Sequence, residues 1–292
     1  MDRDSMFSQA AELLNGNDAL GVLAMLDDCP SLGSATDAHG STLLMRALKA
    51  RQLSLALRII PFSDASQKNE KGRTALMLAA DLGLDECARA LLRLSDPNDC
   101  DCHQMTALMH AAKNGHEECV KILLEAADPL ATDKQGATAL MIAAGWFHQG
   151  CVEILIPHSN VSAANREGTT AMMIAAGRGL VSAVRMMLPF CDPNATNKTG
   201  WTALSTAAAQ GRYDCVEALL PVSDTSLRAT YGHYEGAPFL TAAEHALHVE
   251  AMDVAALIEA FETSKFEKEA IGDAMVFEGS SQEDQARAKL RL

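Results

Sequence analysis

Aromatic residues are scarce in this sequence. Phe, Trp and Tyr together make up 4% of the 292 residues, with only two Trp and three Tyr. Because there are too few aromatic rings to fill a core, the core must be built from Ala, Leu, Ile and the 14 Met residues. Such a core suits short helices that pack closely on one another. The composition therefore favours an all-α protein.

Long apolar runs and an excess of basic residues are also missing. No window reaches the roughly 18 uninterrupted apolar residues that a membrane-spanning helix needs, and the polar start of the chain is not a secretory signal. The 24 Lys and Arg residues are outnumbered by 38 Asp and Glu residues, which gives a net charge of −14. That field repels phosphate backbones. We expect no nucleic-acid binding, no membrane insertion, and a cytoplasmic location where the eight Cys residues stay reduced.

One pattern recurs along most of the chain. Its clearest copy is GRTALMLAADLGLDECARALL from Gly72, and it returns as QMTALMHAAKNGHEECVKILL from Gln104. Copies start at residues 40, 72, 104, 136, 168 and 200, a constant spacing of 32 residues. A fixed period of this length is typical of stacked repeat proteins.

Each copy predicts two short helices followed by a loop. A Thr precedes the first apolar run as a predicted N-cap, and a Gly about nine residues later suits a helix end that needs positive φ. An apolar i, i+3, i+4 run then predicts the second helix, and Asp-Pro at 96–97, 128–129 and 192–193 ends the copy. The Thr positions are Thr42, Thr74, Thr106, Thr138, Thr170 and Thr202, and the Gly positions are Gly83, Gly115, Gly179 and Gly211. Helices this short must stack on neighbours to persist in water.

These features resemble the ankyrin repeat, whose first helix has the pattern T-P-L-H-x-A. Here TALM stands at 74–77, 106–109 and 138–141, with Ala for Pro and Met for His. We expect Met109 and its equivalents to replace the His hydrogen bond by packing. The resemblance implies an all-α, ankyrin-type solenoid of helix-turn-helix units with projecting β-hairpin or loop fingers. It also implies a concave face on which partners dock.

The repeat start positions predict the division of the chain. Residues 1–39 are interpreted as a degenerate N-terminal capping repeat, 40–234 as six repeats, and 235–262 as a degenerate C-terminal capping repeat. The longer link at 224–238 is predicted to be an extended hairpin. The charged tail at 263–292 is predicted to be helical and to cover the last repeat, with a partner-binding tail as the alternative.

The cysteines and histidines separate into two groups. Cys87, Cys119, Cys151 and Cys215 share one helical position that is Ala183 in another copy, which indicates a small core site. Cys100, Cys102 and His103 belong to a loop, and no other copy repeats them. One alternative for this loop is a metal site completed by His39 or His110. Another is an oxidisable pair of thiols. We expect no metal. His110 is predicted to face the concave side, and His116 to make a local hydrogen bond between turns.

Signatures of catalysis are missing, including the phosphate-binding, dinucleotide-binding and zinc-protease motifs. We expect no enzyme activity and no cofactor. The positions that vary between repeats are then free to serve recognition, and Trp and Arg are favoured binding anchors. Trp201 beside Arg178 is the favoured region, while Trp146 and Phe147 could instead simply pack at a helix end. The predicted partner-binding residues are Arg73, Asp81, Lys113, Asn114, Lys134, Trp146, Arg166, Arg178, Lys198 and Trp201.

The sequence thus predicts a monomeric protein-interaction scaffold or adaptor that binds one or more proteins. The resemblance to ankyrin-only proteins implies cytoskeletal or signalling partners. A regulatory subunit of a kinase or phosphatase complex is the alternative. A metal or redox sensor acting through Cys100, Cys102 and His103 is the weaker one.

Overall fold

The structure, a computed structural model, describes residues 3–230 and 239–267. The described chain is predominantly helical and divides into two compact units, Met1–Asp192 and Pro193–Leu292. Each helix pair is connected by a tight turn, and the next pair follows after a short loop. This is the all-α repeat architecture that the sequence predicts.

The first unit consists of paired helices. Its helices are α1 (Arg3–Asn15), α2 (Ala19–Asp28), α3 (Leu43–Lys49), α4 (Leu53–Ile59), α5 (Ala75–Leu82), α6 (Asp85–Leu92), α7 (Ala107–Asn114), α8 (Glu117–Leu123), α9 (Ala139–Gly145), α10 (Gln149–Leu155), α11 (Ala171–Arg178) and α12 (Val181–Met187). Short 3₁₀ turns lie at Pro30–Ser34, Ile60–Phe62, Ile156–His158 and Leu188–Phe190. The first helices α3, α5, α7, α9 and α11 pack in one row, and α4, α6, α8, α10 and α12 pack in a second row.

The second unit repeats the pattern and ends in a hairpin and two further helices. It contains α13 (Ala203–Ala209), α14 (Tyr213–Leu219), a 3₁₀ turn at Leu220–Val222, β1 (Ala229–Thr230), β2 (Phe239–Leu240), α15 (Ala242–His248) and α16 (252–267). β1 and β2 pair antiparallel, with Ala229 opposite Leu240. They are the paired ends of the expected hairpin, whose residues 231–238 lie outside the described part. The rest of the predicted helical tail, 268–292, lies there too.

The ends of the first helices follow the predicted chemistry. The N–H of Met109 donates to Thr106 Oγ1 at 3.4 Å, and the five equivalent Thr residues cap their helices in the same way. Such caps satisfy an N–H group that the helix itself leaves free. Gly83, Gly115 and Gly179 end their helices in the left-handed conformation, with φ of 68°, 74° and 77°. Both predicted helix-boundary signals are confirmed.

The core contains small and flexible side chains. Met77, Met109, Met141 and Met173 are at most 2% exposed, so they fill by packing the place where the ankyrin pattern has His. Their neighbouring Ala pairs are buried as well, which lets adjacent helices approach closely. The four equivalent Cys residues, Cys87, Cys119, Cys151 and Cys215, are 0–1% exposed. Their predicted core role is confirmed.

The fingers between repeats are tight turns that bond to each other. An Asp or Asn side chain closes each turn by accepting two backbone N–H groups, as Asp101 does from His103 and Met105 at 2.8 and 3.0 Å. Adjacent fingers of the first unit are joined by backbone hydrogen bonds, such as Cys102 N–H to the Lys71 carbonyl at 3.0 Å. Within the described ranges, no helix combines the length and apolar character that crossing a membrane requires.

Candidate functional site

Equivalent positions of the repeats line two grooves on the first unit. Both grooves are lined by the same three positions of the repeat. These are the residue after the repeat start, the fourth residue of the first helix and the residues at the end of that helix. In one groove these are Ser41, Arg46, Lys49, Ala50, Arg73 and Leu78, and in the other Ala137, Ile142, Gly145, Trp146 and Ile174. The same face of the repeats is therefore charged in one part and apolar in another.

A buried histidine organises the polar network between α5 and α7. His110 is the fourth residue of α7, the position that lines the grooves in other repeats, but it is fully buried instead of exposed on that face. Its Nδ1 lies 3.1 Å from Asp81 Oδ1, and its Nε2 lies 3.1 Å from Asp101 Oδ2. Arg73 approaches the same two carboxylates, at 3.2 Å from Asp81 and 3.7 Å from Asp101. The network therefore joins a finger and two helices through charge-assisted contacts.

The network stabilises its carboxylates in the charged form. The hydrogen bond with His110 lowers the pKa of Asp81 to about 2, against an opposing effect of burial and with further help from Arg73 and Asn114. Burial raises the pKa of Asp101, but the N–H groups of its own turn and the His110 ring outweigh it, so the pKa is lowered. The side chains of this network therefore connect α5, α7 and the finger between them. Three predicted binding residues, Arg73, Asp81 and Asn114, are thus engaged within the protein.

An exposed aromatic pair lies at the end of α9. Trp146 is 57% exposed and Phe147 is 51% exposed. The Lys113 Nζ lies 5.3 Å from the Trp146 ring centroid, and the Arg178 Cζ lies 4.6 Å from the Phe147 centroid. Cations at these distances from ring faces are attracted by the ring quadrupole. The structure thus brings together three predicted site residues, Lys113, Trp146 and Arg178, around a fourth residue that the prediction omitted.

Phe147 occupies a backbone position that normally takes glycine. Its φ is +63°, and the equivalent residues Gly115 and Gly179 have φ of 74° and 77°. A bulky residue with positive φ is a conformational outlier. The signal was present in the sequence, because Phe stands where most copies have Gly. Trp146 is the C-cap residue of α9, and both rings keep about half of their surface exposed at this helix end.

The groove beside the aromatic pair has an apolar floor. We call it the aromatic groove, lined by Ala137, Met141, Ile142, Gly145, Trp146, Phe147, Ile174 and Arg178. Gly145 stands where other repeats have Asp81 and Lys113. A Cβ added at Gly145 would lie 3.9 Å from Ile174 Cγ2, an ordinary contact distance, so a side chain would fit there without a clash. With glycine at this position, the half-buried backbone is partly accessible to a bound molecule.

The second unit holds Trp201 in an internal role. Its Nε1–H donates to the Thr230 carbonyl at 3.0 Å, and its ring centroid lies 4.3 Å from that of His245. Both contacts stabilise the junction of β1 with α15. The pairing of Trp201 with Arg178 joins residues of different compact units and stays a prediction. Lys198 is exposed in a finger of the second unit, as Lys134 and Arg166 are in fingers of the first.

The Cys100 loop is one of the fingers. Cys100, Cys102 and His103 are exposed, whereas Asp101 between them is 5% exposed and closes the turn. In residues 3–230 and 239–267, no group of three or more His, Cys, Asp and Glu residues is arranged to hold a metal ion. The two candidate fourth ligands have other partners, since His39 lies 2.9 Å from Glu70 and His110 belongs to the buried network.

His116 and His148 link neighbouring repeats at the helix turns. The Nε2 of His116 lies 3.2 Å from the Asp81 carbonyl oxygen, and that of His148 lies 2.9 Å from the Lys113 carbonyl oxygen. The acceptors are helix-end carbonyls that lack a full set of intrahelical bonds. His116 makes a hydrogen bond as predicted, but the bond is not local, because it reaches the preceding repeat. His148, which the prediction did not single out, has the same role one repeat later.

Comparison with known families agrees with this architecture. A family model described as ankyrin repeats (3 copies) matches residues 7–101, 93–165 and 147–230. The chain belongs to the ankyrin-repeat family. Ankyrin repeats are generic protein-interaction modules, which is the coarse function that the match supports. A comparison with curated proteins finds no match.

Proposed function

We propose that this ankyrin-repeat protein is a non-catalytic, cytoplasmic scaffold that binds a protein partner in the aromatic groove. The observation that carries the proposal is the exposed Trp146–Phe147 pair, with Phe147 held in a backbone conformation that suits glycine. Strained residues persist where the surrounding fold enforces them, and they concentrate at functional sites. Exposed Trp is also among the residues most often found as a binding anchor.

The surrounding groove supports the same function. Its apolar floor, opened at Gly145, can accept a side chain from a partner, and Lys113 and Arg178 hold the two rings in place. A rigid aromatic anchor loses little conformational entropy when it binds. All eight Cys residues are free, which supports a reducing compartment. Regulation of a kinase or phosphatase would be one use of such a groove.

The redox alternative depends on a different surface. Cys100 and Cys102 are both exposed in one finger, so oxidation of this pair is a second candidate function. It predicts a change in partner binding between reduced and oxidised protein, which the Cys100→Ser/Cys102→Ser variant would abolish.

Capture of partners by variants of the full-length protein tests the proposal. The groove variant is Trp146→Ala with Phe147→Gly, and the matched control is Leu94→Ala with Leu130→Ala. The control residues are 57% and 54% exposed and lie outside the groove. Affinity capture followed by quantitative mass spectrometry should show loss of the specific partner with the groove variant alone. The affinity of the purified pair should fall by about 30-fold or more, as for truncation of a binding hot spot.

Circular dichroism establishes that both variants remain folded. The proposal is wrong if the groove variant captures the same proteins, at the same abundance, as the wild type.

A further inference from the structure

We propose that the occupant of the aromatic groove is an acidic protein segment with one aliphatic or aromatic anchor residue. This inference rests on the proposed function and names the chemistry of the partner. The anchor lies on the floor between Ile142 and Ile174, and carboxylates on either side of it meet Lys113 and Arg178. Charge complementarity, rather than the apolar floor alone, determines which partners bind.

The first observation is the unequal pairing of cations on this face. Arg46 and Arg73 are each paired with a carboxylate of this protein, at 3.2 Å from Asp37 and Asp81 respectively. Lys113 and Arg178 lie over aromatic rings, and neither forms a salt bridge with any residue of 3–230 or 239–267. Two cations beside the groove thus retain the capacity to bind carboxylates from another molecule.

The second observation concerns the faces of the rings. A positively charged ligand is commonly bound over exposed aromatic faces. Here Lys113 and Arg178 already lie over Trp146 and Phe147. A cationic ligand would meet like charge beside both rings. The groove therefore disfavours a basic or methylated-lysine segment and favours an acidic one.

The third observation is the apolar floor between these cations. Ala137, Ile142 and Ile174 line it, and Gly145 contributes no side chain. Burial of one aliphatic or aromatic side chain there would contribute binding free energy in proportion to the apolar area removed from water. A free anion alone would leave this floor exposed, so the ligand must combine acidic and apolar groups.

The net charge of −14 does not contradict an acidic ligand. At physiological ionic strength the Debye length is about 8 Å, so distant surface carboxylates are largely screened. The two cations beside the groove act at contact distance. The preference for an acidic ligand therefore depends on these two cations, and substituting them can reverse it.

Selection from a phage-displayed library of random 16-residue peptides tests the inference. The full-length wild type is compared with Lys113→Glu/Arg178→Glu, with Trp146→Ala/Phe147→Gly and with Lys121→Glu/Arg185→Glu. The last is a matched control that makes the same charge change at exposed cations of α8 and α12. Lys113→Gln/Arg178→Gln replaces the reversed variant if that variant fails to fold by circular dichroism.

We expect wild-type binders to be enriched in Asp and Glu around a single large apolar residue. Their affinity should fall by about tenfold or more in Lys113→Glu/Arg178→Glu, and remain within about twofold in the control. Selection on the reversed variant should enrich Lys and Arg instead.

Two results overturn the inference, and they have different meanings. Peptides that require Trp146 and Phe147 but show no acidic bias, and that bind the charge-reversed variant equally well, leave the proposed function intact and refute the acidic partner. If no selected peptide depends on Trp146 and Phe147, the proposed function fails as well.

Discussion

At the scale of the residue, position 147 shows a conflict between backbone and side chain. The left-handed conformation costs a non-glycine residue about 1 to 2 kcal/mol, and Phe147 adopts it with φ of +63°. Its ring gains a contact with Arg178, which at an exposed site contributes about 0.5 to 1 kcal/mol. The gain therefore offsets the cost in part.

Substitutions at Phe147 separate these two effects. Phe147→Gly and Phe147→Ala both lose the ring, but only Gly relieves the backbone. We expect the Gly variant to be more stable than the Ala variant by about 1 kcal/mol in urea unfolding followed by circular dichroism. Equal stability of the two variants would show that the backbone at this position is not strained. Both variants should bind the partner more weakly than the wild type.

At the scale of the element, α5 and α7 are joined by a polar contact as well as by apolar packing. His110 of α7 reaches Asp81 at the end of α5 and Asp101 in the finger that precedes α7. Buried Ala, Leu and Met side chains of both helices form the apolar contact between them. The polar contact adds a dependence on pH, because a carboxylate with a lowered pKa stabilises the fold only while it is ionised.

Acid should therefore destabilise the protein partly through Asp81. Its pKa is about 2 in the folded state, against about 3.9 in an unfolded chain. The stabilisation is fully present well above pH 4 and is lost as the pH falls from about 4 to about 2. We expect it to be on the order of 1 to 2 kcal/mol, allowing for partial solvent exposure.

Urea unfolding between pH 6 and pH 2 measures this effect. Asp81→Asn should be less stable than the wild type at pH 6 and should lose less stability on acidification. Asp28→Asn, at an exposed position, is the control and should follow the wild-type profile. Parallel profiles for the wild type and Asp81→Asn would contradict the role assigned to this carboxylate.

At the scale of the whole molecule, the cysteines report the integrity of both units. Cys87, Cys119 and Cys151 are buried in the first unit, and Cys215 is buried in the second. Burial raises the pKa of Cys151 and Cys215 to about 11, and raises that of Cys119 further with help from the adjacent Asp85. These buried cysteines therefore stay in the unreactive thiol form as long as the unit that contains them is folded.

Alkylation with iodoacetamide at pH 8 should label Cys100 and Cys102 first. The buried cysteines should react only as fast as the units open, so their labelling should rise sharply near the unfolding midpoint. Peptide mass spectrometry resolves each site. Cys100→Ser/Cys102→Ser should remove the fast phase and leave the slow one unchanged. Rapid labelling of Cys119 in the native protein would contradict the packing described above.

The sequence by itself determined the repeat, its period and its helix boundaries. Thr caps, Gly ends and the Ala, Met and Cys core positions are local or periodic properties, because each depends on backbone geometry or on burial that recurs every 32 residues. The tertiary structure decided which of the residues that vary between repeats are exposed for binding and which are engaged within the protein. Asp81 and His110 became internal partners because, although they are 29 residues apart in sequence, they meet between neighbouring repeats. Arg73 is paired with the same Asp81 within one repeat. Phe147 follows the end of α9 in the left-handed conformation, and its half-exposed ring lies against Arg178 of the next repeat.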